Sequence, residues 1–89
     1  MNADVILAGY DKRTEFLSMA IDLPIDVVDF ARRVAKVPVS DPDVLGVYPL
    51  RAQQAAQIAG EAKLSLDPTE YDYCLEAIAR DERPQAHIA

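Results

Sequence analysis

One histidine, one cysteine and three glycines in 89 residues leave little from which to build a reactive site. A single cysteine, Cys74, cannot close an internal disulfide, and its YDYCLEA setting supplies no basic neighbour to lower its pKa. It reads as a small packing residue. His87 stands alone in the C-terminal tail, so no histidine–cysteine dyad is expected, and three glycines cannot form a phosphate-cradling loop. No catalytic residue, cofactor or metal is therefore assigned, and the chain is not expected to be an enzyme. A long apolar run is missing too. The start, MNADVILAGYDK, has no basic region, and its apolar stretch is broken by Tyr10 and Asp11. That argues against a signal peptide or membrane span, and a cytoplasmic location is expected.

Basic residues are also short: nine Lys and Arg face fifteen Asp and Glu, for a net charge of −6. The one basic cluster is Arg32, Arg33 and Lys36. Counterion release needs clustered bases, so nucleic acid is excluded as a partner and a DNA-autoregulating antitoxin is the least favoured reading. An acidic surface suits a basic protein partner, although acid excess also serves solubility.

What the chain does contain is one small core's worth of apolar residues, too few for two domains. Residues 1–80 read as a single α+β domain and 81–89, DERPQAHIA, as a flexible tail. The organising stretch is Val5 to Leu23, read as a β-hairpin. Leu17, Met19, Ile21 and Leu23 alternate with Phe16, Ser18, Ala20 and Asp22, and this period of two places the first set on one buried face. Val5 to Tyr10, apolar on both faces, is the expected inner strand. In the turn between them, Asp11 can accept hydrogen bonds from the backbone two residues on.

Beyond the hairpin, Asp26 is the expected cap of a helix running to about Lys36, with Val27, Phe30, Ala31 and Val34 as its apolar stripe. Pro38 to Leu50 is proline-broken. Asp41 with Pro42 suggests a cap and one helical turn stopped by Gly46, and Asp41 and Asp43 fall short of a calcium loop. Arg51 to Ala62 is an alanine-rich helix, expected to pack through Ala52, Ala55, Ala56 and Ala59 with Ile58 near the edge and Gly60 as a candidate stop. Tyr48 and Leu50 are expected to be buried and to wedge that helix against the sheet. Leu64 and Leu66 permit a short extended piece. Tyr71 to Arg80 fits a helix or a strand, and the hairpin's need for a further partner favours the strand, preceded by one turn at Asp67 to Glu70. The expected fold is a three-stranded antiparallel sheet, the N-terminal hairpin plus a C-terminal strand, covered on one face by two helices.

Three segments, YDKRTE at the hairpin turn with LP at its end, YPL before a glutamine-containing helix, and YDYCLE, span Tyr10 to Glu76. Together they resemble a family of small, mostly uncharacterised bacterial proteins. Some of these are encoded beside contact-dependent or other polymorphic toxins and treated as their immunity proteins. The family pattern usually has glycine where Glu15 stands, Ser or Thr where Arg51 stands, and an aromatic where Cys74 stands. The resemblance implies a protein-binding domain that neutralises a basic toxin domain by docking. Asp41, Asp43, Tyr48, Asp72 and Glu76 are the candidate partner contacts, with Asp72 and Glu76 on the strand face opposite Tyr71, Tyr73 and Leu75. The alternative is a self-associating accessory or regulatory domain, a homodimer that covers an open sheet edge.

Overall fold

A computed structural model describes residues 3–79. The expected tail, 81–89 with His87, lies outside the described residues. The elements run β1 (Ala3–Asp11), β2 (Leu17–Asp22), α1 (Ile25–Val34), β3 (Tyr48–Pro49), α2 (Ala52–Ala62) and β4 (Tyr71–Ala79). The sheet is antiparallel throughout, in the order β2-β1-β4-β3. It has four strands, not the expected three. The additional one is the two-residue β3, in which Tyr48 faces Leu75 and Pro49 faces Cys74. It forms because Pro49 biases Tyr48 toward extended backbone and β4 offers it a free edge. Tyr71 to Ala79 is a strand, as the open edge of β1 requires, and β1 and β4 pair along their whole length from Ala3↔Ala79 to Asp11↔Tyr71.

Both helices pack on one face of the sheet. Leu7, Leu23, Val27, Ala31, Val44, Ala55, Ile58, Tyr73 and Leu75 are buried together there, with Met19, Ile21, Tyr48 and Leu50 packed against them. Gly9 lies opposite Tyr73 on this face. A Cβ at Gly9 would sit 3.2 Å from the Tyr73 ring and 2.6 Å from Met19 Cγ, so glycine is what lets these side chains close over the strand.

Leu17 is not on this face. Between Gly9 and Tyr10 the register slips, so that Met19 faces Gly9 while Leu17 faces Tyr10. The extra residue is a β-bulge, which sends Leu17 to the other side with Ile6, Ala8, Ala20 and Tyr10.

The helix ends correct two further expectations. Helix α1 begins before Asp26: Pro24 is the N-cap, and its carbonyl accepts from Val27 and Val28 N–H at 2.8 and 3.2 Å. Asp26 instead lies in the first turn, where a carboxylate favours the helix dipole. At its other end Lys36 adopts a left-handed φ of 60°, and Val37 N–H bonds back to Arg32 O at 3.0 Å, closing a Schellman motif.

Helix α2 ends in the same way at Lys63, with φ 58° and Leu64 N–H to Ala59 O at 2.8 Å. Gly60 is therefore interior, not the stop. Ile58, expected near the edge, is fully enclosed, while Ala52 and Ala56 face outward. The helix contacts the core through Ala55, Ile58 and Ala59, and large side chains elsewhere fill around it. Gln54 joins the two helices, accepting from Arg51 N–H at 2.8 Å and donating to Val34 O at 2.9 Å. Leu64 and Leu66 form no strand, but both pack on the core.

Candidate partner-binding surface

The loop from 37 to 47 and Tyr48 behind it hold three of the five residues singled out from the sequence. Asp41 does not cap a helical turn. Its carbonyl accepts from Val44 N–H at 3.2 Å in a tight turn, and its carboxylate reaches further along the chain. Oδ1 accepts from Leu45 N–H at 2.7 Å, Oδ2 from Gly46 N–H at 2.9 Å, and Oδ2 also from the Tyr48 hydroxyl at 2.5 Å. Tyr48 is half-buried, not enclosed as expected, because its hydroxyl is drawn out to Asp41 while its ring packs on the core. A Cβ on Gly46 would lie 3.1–3.2 Å from the phenol end of Tyr48, so Gly46 leaves that end its space.

The electrostatics follow from these bonds. The Tyr48 hydroxyl, and after it the Gly46 and Leu45 amides, hold the Asp41 carboxyl below its ordinary range. The same contact raises the Tyr48 phenol, so the proton stays on the tyrosine and the carboxylate stays ionised.

Val44 carries the strain of this arrangement. It is fully buried among the core residues and has a φ of 55°, an outlier for a β-branched side chain that costs about 1–3 kcal/mol. With Val44 turned inward and the Asp41 carboxylate fixing the next two amides, the neighbouring apolar side chains are displayed to solvent. Val39 is 96% exposed, Leu45 70% and Val47 58%. Asp43 is exposed in the same loop. Exposed apolar side chains on a hydrogen-bonded loop with carboxylates beside them can seat against a protein partner.

Asp72 and Glu76 lie elsewhere, on the sheet face away from the helices, opposite Tyr73 and Leu75 as strand alternation requires. Tyr10 donates to Glu76 Oε2 at 2.6 Å although its paired neighbour is Asp72, so the ring must lie along the strand toward Glu76. It packs on the Ile6, Ala8 and Ala20 cluster. Desolvation first, then the Glu76 bond and charge, push the Tyr10 phenol above its ordinary pKa. Lys12 Nζ meets Asp72 at 2.8 Å, an exposed pair. Cys74 lies between the two acids along the strand, half-buried. Burial, then Glu76 and Asp72, raise its thiol, so it stays protonated and weakly nucleophilic. Among the described residues no group of three or more His, Cys, Asp or Glu side chains could hold a metal ion.

The five sequence candidates thus divide. Asp41 and Tyr48 bond directly with Asp43 nearby in the chain, and Asp72 and Glu76 occupy the other face of the sheet. Sequence reasoning missed Val39, Leu45 and Val47, which look like loop filler until their exposure is known. It also missed Tyr10, whose period-two relation to Ile6 and Ala8 was a usable signal. No helix among the described residues is long and apolar enough to cross a membrane.

Residues 4–76 match the model of a family described as domain of unknown function DUF7683. The chain belongs to that family. The match contains β2, β3, both helices, the 37–47 loop and most of β1 and β4. No curated protein matches the chain, and no solved structure does.

Proposed function

We propose that this domain is a non-enzymatic protein-binding module that acts as an immunity protein, docking on a basic toxin domain through the 37–47 loop. The observation that carries the reading is the display of Val39, Leu45 and Val47 on a loop whose backbone is fixed by Asp41 and by the buried Val44. Interface energy concentrates in a few well-packed side chains that their neighbours shield from water. A loop already ordered before binding also avoids much of the entropic cost of ordering it on contact. Asp43 and the net charge of −6 favour approach by a basic partner. The motif resemblance to proteins encoded beside toxins supplies the biological class.

Co-expression with a toxin-like gene encoded next to this one tests the proposal. The toxin domain is expected to co-purify with the wild-type chain. Leu45→Glu, at an exposed position, is expected to weaken that capture by about tenfold or more while leaving urea unfolding unchanged. Capture that is indifferent to Leu45→Glu and to Val39→Glu would remove the loop from the interface.

A further inference from the structure

The sheet face turned away from the helices is separate from the 37–47 loop, whose buried residue Val44 packs on the helix side. Ile6, Ala8 and Ala20 form its centre, and the apolar side chains packed on them, Tyr10, Leu17 and Ile78, all belong to the sheet itself. A side chain on an open sheet face keeps its tip in water. Ile6 and Ala8 are nevertheless 0% exposed and Ala20 only 6%. The Tyr10 ring, lying along the strand toward Glu76, accounts for Ala8. It does not account for Ile6, which stands further on, between Asp22 and Glu76. Among the described residues no helix or strand lies above that position.

The chain has a segment whose make-up suits this face. Ten residues, RDERPQAHIA, follow Ala79. Pro84, Ala86 and Ile88 alternate with Gln85 and His87, the period of an extended segment with one apolar side. Its length also suffices. β4 ends opposite Ala3, about 17 Å of strand from Ala8, and the residues from Pro84 to Ala89 reach about 20 Å when extended.

The charges of this face are sorted along it. Asp72 pairs with Lys12 at one end, and Glu76 accepts from Tyr10 near the middle. Asp4 and Asp22 stand at the end where β4 leaves the sheet, Asp4 opposite Ile78 and Asp22 opposite Ile6. Arg80 and Arg83 come first in the segment that follows, with Asp81 and Glu82 between them.

We propose that residues 80–89 turn back at the end of β4 and lie across this face, with Pro84, Ala86 and Ile88 against Ile6, Ala20 and Ile78. Arg80 and Arg83 lie beside Asp4 and Asp22, and Asp81 and Glu82 are on the solvent side of the reversal. The segment supplies a third layer to a sheet that the helices cover on one side only. Glu76 then borders the chain's own segment, and the 37–47 loop is left as the surface for a partner.

Nuclear Overhauser spectroscopy of the isotope-labelled full-length chain tests this. Contacts from Ala86 and Ile88 to the side chains of Ile6 and Ala20 are expected. Ile88→Asp is expected to abolish them, and Arg80→Glu with Arg83→Glu to weaken them about twofold or more at low salt, while the β1 and β4 amide shifts stay in place. Gln85→Glu, on the outward side, is expected to leave them unchanged. Free-chain chemical shifts throughout 80–89 overturn the proposal. So do contacts to Ile6 that come from Met1 and Asn2 or, in an equimolar mixture of labelled and unlabelled chains, from a second copy.

Discussion

The hairpin turn after β1 and the 37–47 loop are built with the same local chemistry and end up as different objects. In each an aspartate accepts from two backbone amides: Asp11 from Arg13 and Thr14 at 2.7 and 3.2 Å, and Asp41 from Leu45 and Gly46 at 2.7 and 2.9 Å. Each has a non-glycine residue in the left-handed region, Glu15 at φ 66° and Val44 at φ 55°. Each exposes a large apolar side chain next in sequence, Phe16 at 75% and Leu45 at 70%.

The difference lies in what the strained residue touches. Glu15 is exposed, and its turn meets the chain beyond the hairpin through Lys12, which bonds to Glu70 O and to Asp72, whereas Val44 is fully buried in the core. Asp41, moreover, takes a third bond from Tyr48, which belongs to β3. A local aspartate makes a connector in one place; tied to the core, it makes a fixed platform.

Truncating the strained residues should separate the two loops most widely. Val44→Ala removes two buried methyl groups and leaves a void, and should cost about 2 kcal/mol in urea unfolding. Glu15→Ala, at an exposed position, should change stability by less than about 0.5 kcal/mol. Equal losses would mean that the 37–47 loop is no better anchored than the turn.

A smaller effect of opposite sign sharpens the contrast. A left-handed residue with a Cβ costs about 1–2 kcal/mol, and glycine returns roughly 0.5–1 of that through its looser unfolded chain. Glu15→Gly should therefore raise stability by about 0.5–1 kcal/mol. At Val44 the same change should destabilise, because the lost burial outweighs the relieved strain.

Glu15 also shows how far the sequence could be read. The resemblance implies glycine at that position, the residue that adopts a left-handed φ at least cost. The hairpin, both helices and the strand at Tyr71 were legible, because periodicity and the need to pair an apolar inner strand are properties of the residues themselves. The bulge that turns Leu17 over was not, since a one-residue slip leaves no mark in the alternation of β2. Nor was β3, two residues long and fixed by pairing with a strand more than twenty residues later.

In the candidate surface, Asp41 was identified as a backbone-binding residue but given the wrong amides. Capping geometry is local, and the bond to Tyr48 that selects the observed arrangement comes from tertiary placement. Val44 and Leu45 are adjacent residues of similar hydrophobicity, one enclosed and one displayed. Only the backbone angle at Val44 decides which.

Hydrogen exchange at the Leu45 and Gly46 amides tests most directly whether this loop is a fixed platform. In the wild-type chain both should exchange slowly for so exposed a segment, because the Asp41 carboxylate holds them. In Asp41→Ala both should approach the rate of an unstructured chain while amides of β1 and β4 keep their protection. Free-chain exchange at Leu45 and Gly46 in the wild-type protein would contradict the account.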